Sequence, residues 1–130
     1  IIDFATLTGA ARIALGAELP VFFTNNDTTA NKLIELGDRV SDPLWRLPLH
    51  KPYERYLYRE NGSLSSTGTS PYGGAITAAL FLSKFIGNQA NWVHFDIMAW
   101  NQTSQPGRPN GGETMSLRAV YEYCLSYKKN

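Results

Sequence analysis

His94 and Asp96 stand two apart in the apolar run Asn91-Trp92-Val93-His94-Phe95-Asp96-Ile97-Met98, so on a strand both side chains point to one face. An imidazole and a carboxylate placed this way could ligate a metal ion, or act as a general base and the group that orients it. The competing reading is structural, with a buried Asp96 accepting backbone N–H groups and His94 satisfied in the core. No third ligand-type residue lies close by in the sequence, and the structural reading is favoured.

Other chemistry-bearing types are less organised. Ser63, Ser65, Ser66 and Ser70 crowd the stretch from Asn61 to Gly74, yet no Gly-x-Ser-x-Gly elbow is present. A nucleophilic serine needs a base in reach and a group to steady it. Of the two histidines, His50 falls in a proline-flanked connection where exposure is the simpler expectation. Gly107-Arg108-Pro109-Asn110-Gly111-Gly112 lacks the lysine and the Ser/Thr of a phosphate-cradling loop and reads as a tight turn into the last helix. Cys124 falls on an apolar helix face, where a small core residue is expected rather than a reactive thiol. As the single cysteine it forms no internal disulfide, which fits a reducing compartment, the cytoplasm.

These residues depend on the elements that carry them. Ile1 to Gly16 reads as a buried strand that turns through Thr6-Leu7-Thr8-Gly9 into a short alanine-rich helix. In open α/β sheets such a turn is where ligands meet backbone N–H and C=O groups. Leu19 to Thr24 predicts a second strand, entered past Pro20. Asp27 or Thr28 then caps a helix whose apolar face is Leu33, Leu36 and Val40.

Ser41 to Leu49, with two prolines, predicts an extended connection. A helix restarts at Lys51-Pro52 with Tyr53, Tyr56 and Leu57 on one side. The stretch from Asn61 to Gly74 has loop composition, and a loop of that length is either functional, an interface element or a mobile surface segment. Ala75 to Ile86 is apolar nearly all round, which predicts a helix buried on both sides at the centre of the domain or of an oligomer. Asn91 to Met98 predicts a central strand, Asn101 to Gly112 a loop. From Glu113 a last helix follows with Leu117, Val120, Tyr121, Cys124 and Leu125 on one face. Strands alternating with helices and no internal repeat argue for one α/β layer structure.

Composition narrows the function classes. The chain has 130 residues, a formal charge of +1 and 43% hydrophobic residues, which is one domain's worth of ordinary globular sequence. No basic stripe marks a nucleic-acid footprint, and Lys128-Lys129 are expected to match a helix dipole. No stretch approaches the ~20 apolar residues that span a bilayer, so neither nucleic acid nor membrane is an expected partner. A start at Ile1, without methionine and inside a strand, is expected of a portion of a longer polypeptide.

Four ordered blocks carry a resemblance. Asp3-Phe4-Ala5-Thr6-Leu7-Thr8-Gly9-Ala10 with Ala14-Leu15-Gly16, then Trp45-Arg46-Leu47-Pro48-Leu49, Gly74-Ala75-Ile76-Thr77-Ala78-Ala79-Leu80-Phe81-Leu82 and Trp92-Val93-His94-Phe95-Asp96-Ile97 resemble the leucyl aminopeptidase (cytosol aminopeptidase) family. The resemblance implies a mixed β-sheet sandwiched between helices, with residues 1–130 forming the C-terminal portion of a metalloaminopeptidase catalytic domain. It implies removal of amino-terminal residues from peptides with a free N-terminus, two divalent metal ions (manganese or zinc) in the full-length enzyme, and a hexamer. The Ala75–Ile86 helix and the loop before it are expected near a subunit interface.

The family's metal ligands form an upstream Lys…Asp…Asp set and an Asp-x-Glu-Gly-Arg segment, and neither is in this sequence. Two-metal hydrolysis needs carboxylates converging on ions ~3.5–4 Å apart, whereas the 11 acids here are scattered. This chain alone is therefore expected to bind no metal, to hold no catalytic residue and to be inactive. What the resemblance assigns is substrate binding. Leu7 meets the substrate amide and a carbonate-like base site through its backbone, Thr6 and Gly9 line the first side-chain pocket, and Met98 and Asn101 are two further walls.

Two departures bear on specificity. Ser63-Leu64-Ser65-Ser66 stands where many members carry Asp-Leu-x-Asn. Met98 stands where many carry alanine, which narrows the pocket and gives it an adaptable thioether. The alternative from another class is a non-catalytic homologue, an interaction or scaffold module. Coding sequence upstream of Ile1 discriminates, because the enzyme needs the ligand set there.

Overall fold

The computed structural model describes residues 1–87 and 90–127, so the Lys128-Lys129 pair lies outside the described residues. In chain order the elements are β1 (Ile2–Ala5), α1 (Ala10–Leu15), β2 (Val21–Thr24), α2 (Asp27–Arg39), β3 (Trp45–Arg46), a 3-10 helix (Lys51–Leu57), α3 (Gly74–Ser83), β4 (Val93–Asp96), β5 (Trp100–Asn101), β6 (Gly111–Gly112) and α4 (Leu117–Tyr127).

Strands β1 to β4 form one mixed sheet in the order β1-β4-β2-β3. β1 runs parallel to β4, β4 antiparallel to β2, and β2 parallel to β3. β2 and β4 are buried on both faces: β2 is apolar apart from Thr24, whereas β4 alternates Val93 and Phe95 with the buried polar residues His94 and Asp96, and each face has a helical cover. On one face Phe22, Val93 and Phe95 pack with Ala30, Leu33 and Leu36 of α2 and with Ala119 and Tyr123 of α4. On the other, Val21, Phe23 and Trp92 pack with Ala75 and Ala79 of α3, and Ala11 and Leu15 of α1 lean against them. The expected sheet between helix layers is the observed architecture. Phe22, Phe23 and Phe95 are fully buried, each worth roughly 1.5–3 kcal/mol relative to exposure, which makes the two middle strands the anchor of the sheet.

Several local expectations are corrected. The opening strand is an edge strand, paired only with β4 among the described residues, and Phe4 is 43% exposed. Its apolar pattern marks one covered side, where Phe4 stacks on Phe95 with ring centroids 4.5 Å apart. The cap of α2 is Asn26, whose extended backbone lets its side chain accept from Thr29 N–H at 2.9 Å. Asp27 is already helical and instead pairs with Arg46 at 2.7 Å.

Within the proline-flanked connection, Trp45 N–H and Leu47 N–H reach the Pro20 and Phe22 carbonyls at 2.9 and 3.0 Å, which makes β3 out of extended chain. The long loop of residues 101–112 includes a small hairpin, with Trp100 opposite Gly112 and Asn101 opposite Gly111. The glycines there form strand β6, not a turn leading straight into the helix.

α3 is shorter and less enclosed than its composition implies. It ends at Ser83, where the Ser83 hydroxyl donates to the Leu80 carbonyl at 2.7 Å and Lys84 pairs with Glu54 of the 3-10 helix. Ala75, Thr77, Ala79 and Leu80 are buried, whereas Ile76, Ala78, Phe81 and Leu82 are half-buried and Phe85 is exposed. Within the described residues it is thus a one-sided cover and not the central helix of the domain.

The last helix also turns a different face inward. Ala119 and Tyr123 are buried, while Leu117, Tyr121 and Cys124 are exposed, so Cys124 is not a core residue. Asp42 sets this phase. Its buried carboxylate accepts from Ser116 N–H at 3.0 Å, Arg118 N–H at 2.8 Å and Ala119 N–H at 3.2 Å, capping α4 from a distant segment.

Candidate functional site

β1 and β4 are parallel and in register, Ala5 opposite Asp96, so both chains leave the sheet side by side at the same end. From β1 come Thr6, Leu7, Thr8 and Gly9 before α1 begins at Ala10. From β4 come Ile97, Met98 and Ala99, with Ile97 N–H extending the ladder to the Ala5 carbonyl at 3.0 Å. Ligands of open α/β sheets gather beyond strand C-termini for this reason, since backbone groups are left there without ladder partners.

Asp96 binds the two exits together. Its Oδ1 accepts from Leu7 N–H at 3.1 Å and Thr8 N–H at 3.0 Å, and its Oδ2 accepts from the Thr8 hydroxyl. The carboxylate is buried, and these bonds to fixed donors replace the water it gives up. The structural expectation for Asp96 holds. It acts on the turn and leaves no oxygen directed at a metal.

His94 projects from the same side of β4. Its Nδ1 lies 2.6 Å from Asp3 Oδ1, and Trp92 Nε1–H donates to Asp3 Oδ2 at 2.7 Å. The ring is stacked with Phe23 and with Trp92, centroids 6.0 Å away in each case. Its Nε2 is buried without a hydrogen-bond partner. The carboxylate facing Nδ1 accepts from that nitrogen, and Nε2 is left among apolar neighbours. The expected core histidine is therefore half-satisfied, and it is not part of a base-and-orienter pair with Asp96.

The expected pocket residues separate into two groups. Thr6, Leu7, Gly9 and Met98 are brought together where β1 and β4 end. Asn101 is one strand further on, in β5. Its side-chain amide donates to the Pro109 carbonyl at 3.2 Å and to Glu113 Oε2, while Asn110 Nδ2 donates to its carbonyl at 3.0 Å. The Arg108 guanidinium, 3.3 Å away, and the Asn101 amide hold the Glu113 carboxyl below its ordinary value. Asn101 is thereby a strut of the hairpin that borders the site. Between β4 and β5, Ala99 has a φ of 53°, a left-handed turn that swings the chain out of the sheet.

Among the described residues no three His, Cys, Asp or Glu side chains gather where they could hold a metal ion. The nearest acids are committed, Asp96 to the turn and Asp3 to His94 and Trp92. No helix of the described residues is long and apolar enough to cross a membrane.

Two residues were not legible in the sequence as neighbours of the candidate site. Asp3 sits in an apolar run, and only the parallel register with β4 reveals it as the partner of His94 and Trp92. Arg12 is the other. A lone cation inside an otherwise Ala, Ile and Leu helix was the available signal, and its guanidinium lies against Met98.

A sequence model described as the cytosol aminopeptidase family, catalytic domain, matches residues 1–121. A probable cytosol aminopeptidase from Rickettsia felis is 37% identical over 131 residues, covering 98% of this chain and 26% of its own length. The crystal structure of cytosol aminopeptidase from Coxiella burnetii superposes with a TM-score of 0.89 at 54% identity, over 96% of this chain and 27% of that one. The bottromycin maturation enzyme BotP in complex with manganese superposes with a TM-score of 0.89 at 31% identity, over 97% of this chain and 28% of its own. The chain spans about a quarter of the length of the curated relatives it matches.

Proposed function

The chain belongs to the cytosol aminopeptidase family, and from that premise we propose that it forms the substrate-pocket wall of an enzyme removing amino-terminal residues from peptides. The observation that carries this reading is that the Thr6–Gly9 turn leaves the sheet beside the exit of β4 and is bonded to Asp96 there, two residues before Met98. A peptidase must hold the first residue of its substrate in fixed register with the scissile bond, and a hydrogen-bonded turn on a rigid sheet does this. Asp96 occupies the Leu7 N–H, so the backbone role given to Leu7 falls to its carbonyl, which can accept a substrate N–H. Thr6, Gly9 and Met98 shape the cavity for the first side chain, and Asn101 steadies the hairpin beside it.

The residues of this chain do not fit a pair of divalent ions, because the acids near the pocket are already hydrogen-bonded to the fold. Manganese or zinc would be held by residues outside this chain. What these residues supply is shape, register and the exclusion of water from one wall. The half-buried apolar side of α3, with Phe85 and Tyr72 exposed beside it, is where we place contact with further copies in a homo-oligomer such as a hexamer. The cytoplasm suits a protein whose relatives are named cytosol aminopeptidases.

The test is hydrolysis of leucyl anilide by the complete protein carrying this segment, with manganese and then with a chelator, alongside the 130-residue chain alone. Chelator-sensitive activity in the complete protein and none in the isolated chain is expected. No activity in the complete, metal-supplemented protein would overturn the reading in favour of a scaffold or interaction module.

A further inference from the structure

The proposed pocket carries a positive charge that an apolar side chain would not need. Arg12 lies in α1, and helical side chains lean toward the N-terminus of their helix, which brings its guanidinium back over the Thr6–Gly9 turn. One terminal nitrogen lies against Met98 Sδ. The other lies 2.6 Å from where a Cβ on residue 9 would be, so the absence of a side chain at Gly9 is what makes room for it. Arg12 therefore bridges two of the residues that line the proposed pocket, one from each strand exit.

Its charge has no opposite partner among the described residues. Among the described residues none of the ion pairs includes Arg12, and its side chain is exposed. A thioether is a weak acceptor and does not neutralise a guanidinium, which offers five N–H donors in a planar fork suited to a carboxylate. A cation that only stabilised the C-terminus of α1 would extend along the helix toward Gly16, and this one is folded the other way.

We infer that Arg12 is a specificity-determining residue that selects peptides whose amino-terminal residue is aspartate or glutamate. This rests on the reading of the Thr6–Gly9 turn and Met98 as the wall of the first side-chain pocket. A glutamate side chain entering between Thr6, Gly9 and Met98 exchanges the sulfur contact for a charge-assisted pair with the guanidinium, whereas leucine leaves the guanidinium on Met98.

The experiment compares kcat/KM for glutamyl and leucyl anilides in the complete, manganese-loaded enzyme and in its Arg12→Ala, Arg12→Lys and Arg12→Glu variants. The glutamyl-to-leucyl ratio is expected to fall about five- to tenfold in Arg12→Ala, as for a partly exposed ion pair. Arg12→Lys retains most of the ratio, and Arg12→Glu lowers it further while raising the relative rate on lysyl anilide. In the wild type, added salt should lower kcat/KM for the glutamyl substrate and spare the leucyl one, and this readout does not depend on any variant folding.

An unchanged ratio in Arg12→Ala and Arg12→Glu, with leucyl hydrolysis persisting, overturns the role of Arg12 and leaves the aminopeptidase reading standing. Salt-insensitive glutamyl hydrolysis in the wild type does the same. Wild-type enzyme that hydrolyses neither anilide overturns both.

Discussion

Asp96 engages Thr8 twice, one carboxylate oxygen on its backbone N–H at 3.0 Å and the other on its hydroxyl, so a single side chain on β4 fixes the turn that follows β1. Adjacent strand ends do not by themselves fix the loops that leave them. Here the loop is pinned at two successive amides, Leu7 and Thr8. The turn is consequently tied to the sheet at both amides.

The first prediction follows from that bond set. Asp96→Ala strands two backbone N–H groups and a hydroxyl in a partly buried site, and each unsatisfied group costs about 1–3 kcal/mol. Asp96→Asn keeps one acceptor oxygen and should lose roughly half as much. Denaturant unfolding gives the order wild type, Asn, Ala. In the complete enzyme both variants should lower kcat, because the turn is no longer held in register. Equal stability of Asn and Ala would contradict the assignment.

A second prediction concerns the group behind the pocket. Asp3 joins His94 and Trp92 through separate oxygens, so the three residues form one unit. A double-mutant cycle with Asp3→Asn and His94→Leu should return a coupling energy within the range of about 0.5–3 kcal/mol seen for directly bonded pairs. Trp92 fluorescence should change with Asp3→Asn, because the indole N–H loses its charged acceptor. Additive effects would show that the 2.6 Å contact does not contribute to stability.

The third prediction sets helix propensity against packing. Gly37 lies within α2, where alanine would ordinarily gain about 1 kcal/mol. A Cβ there would sit 2.8 Å from the Asp42 carbonyl oxygen and 3.1 Å from Leu44 Cδ2. The carbonyl belongs to the residue that caps α4, and Asp42 N–H in turn donates to the Gly37 carbonyl at 2.9 Å, so it cannot retreat cheaply. The clash should outweigh the propensity and leave Gly37→Ala destabilised by roughly 1–3 kcal/mol, measured by thermal or urea unfolding. A stabilised variant would mean that the Asp42 segment yields freely.

A fourth prediction is a dependence on pH. The Glu113 carboxyl is held below its ordinary value of 4.5, first by Arg108 and then by Asn101. A carboxyl lowered in the folded state contributes stability that is fully present above its unfolded value and is lost as pH falls through the lowered folded value. Acidification below about pH 4.5 should therefore loosen the β5–β6 hairpin, read as a shift in Trp100 emission. Glu113→Gln should remove that acid transition. A transition that persists in the variant would assign it to another group.

What the sequence discloses follows from what each pattern encodes. β2 and β4 are legible because Val21-Phe22-Phe23 is a short apolar run and Val93-His94-Phe95-Asp96 alternates apolar with polar residues, patterns with few other fates in a small domain. The phase of α4 is not, because Leu117, Val120, Tyr121 and Tyr123 leave apolar groups on several sides, and only the remote cap from Asp42 selects Ala119 and Tyr123 as the inner face. α3 shows the same limit, since an all-round apolar composition does not say which side this chain covers. The Thr6–Gly9 turn between a strand and a helix was legible. Its clasp by Asp96 and its neighbour Arg12 required the register between β1 and β4, which no local pattern contains.

The strand order β1-β4-β2-β3 has a consequence for how the fold is reached. Asp3 and His94 are 91 positions apart, so among the described residues β1 meets its strand partner only across that span. Loop closure over that span must be met before its contacts reward it, which makes β1 docking a late event with high contact order. β2, α2 and β3 can assemble earlier from near neighbours. The Thr6–Gly9 turn is then the last part of the wall to set, and a synonymous or missense change that slows synthesis between α3 and β4 would lengthen the time that Phe4 spends uncovered.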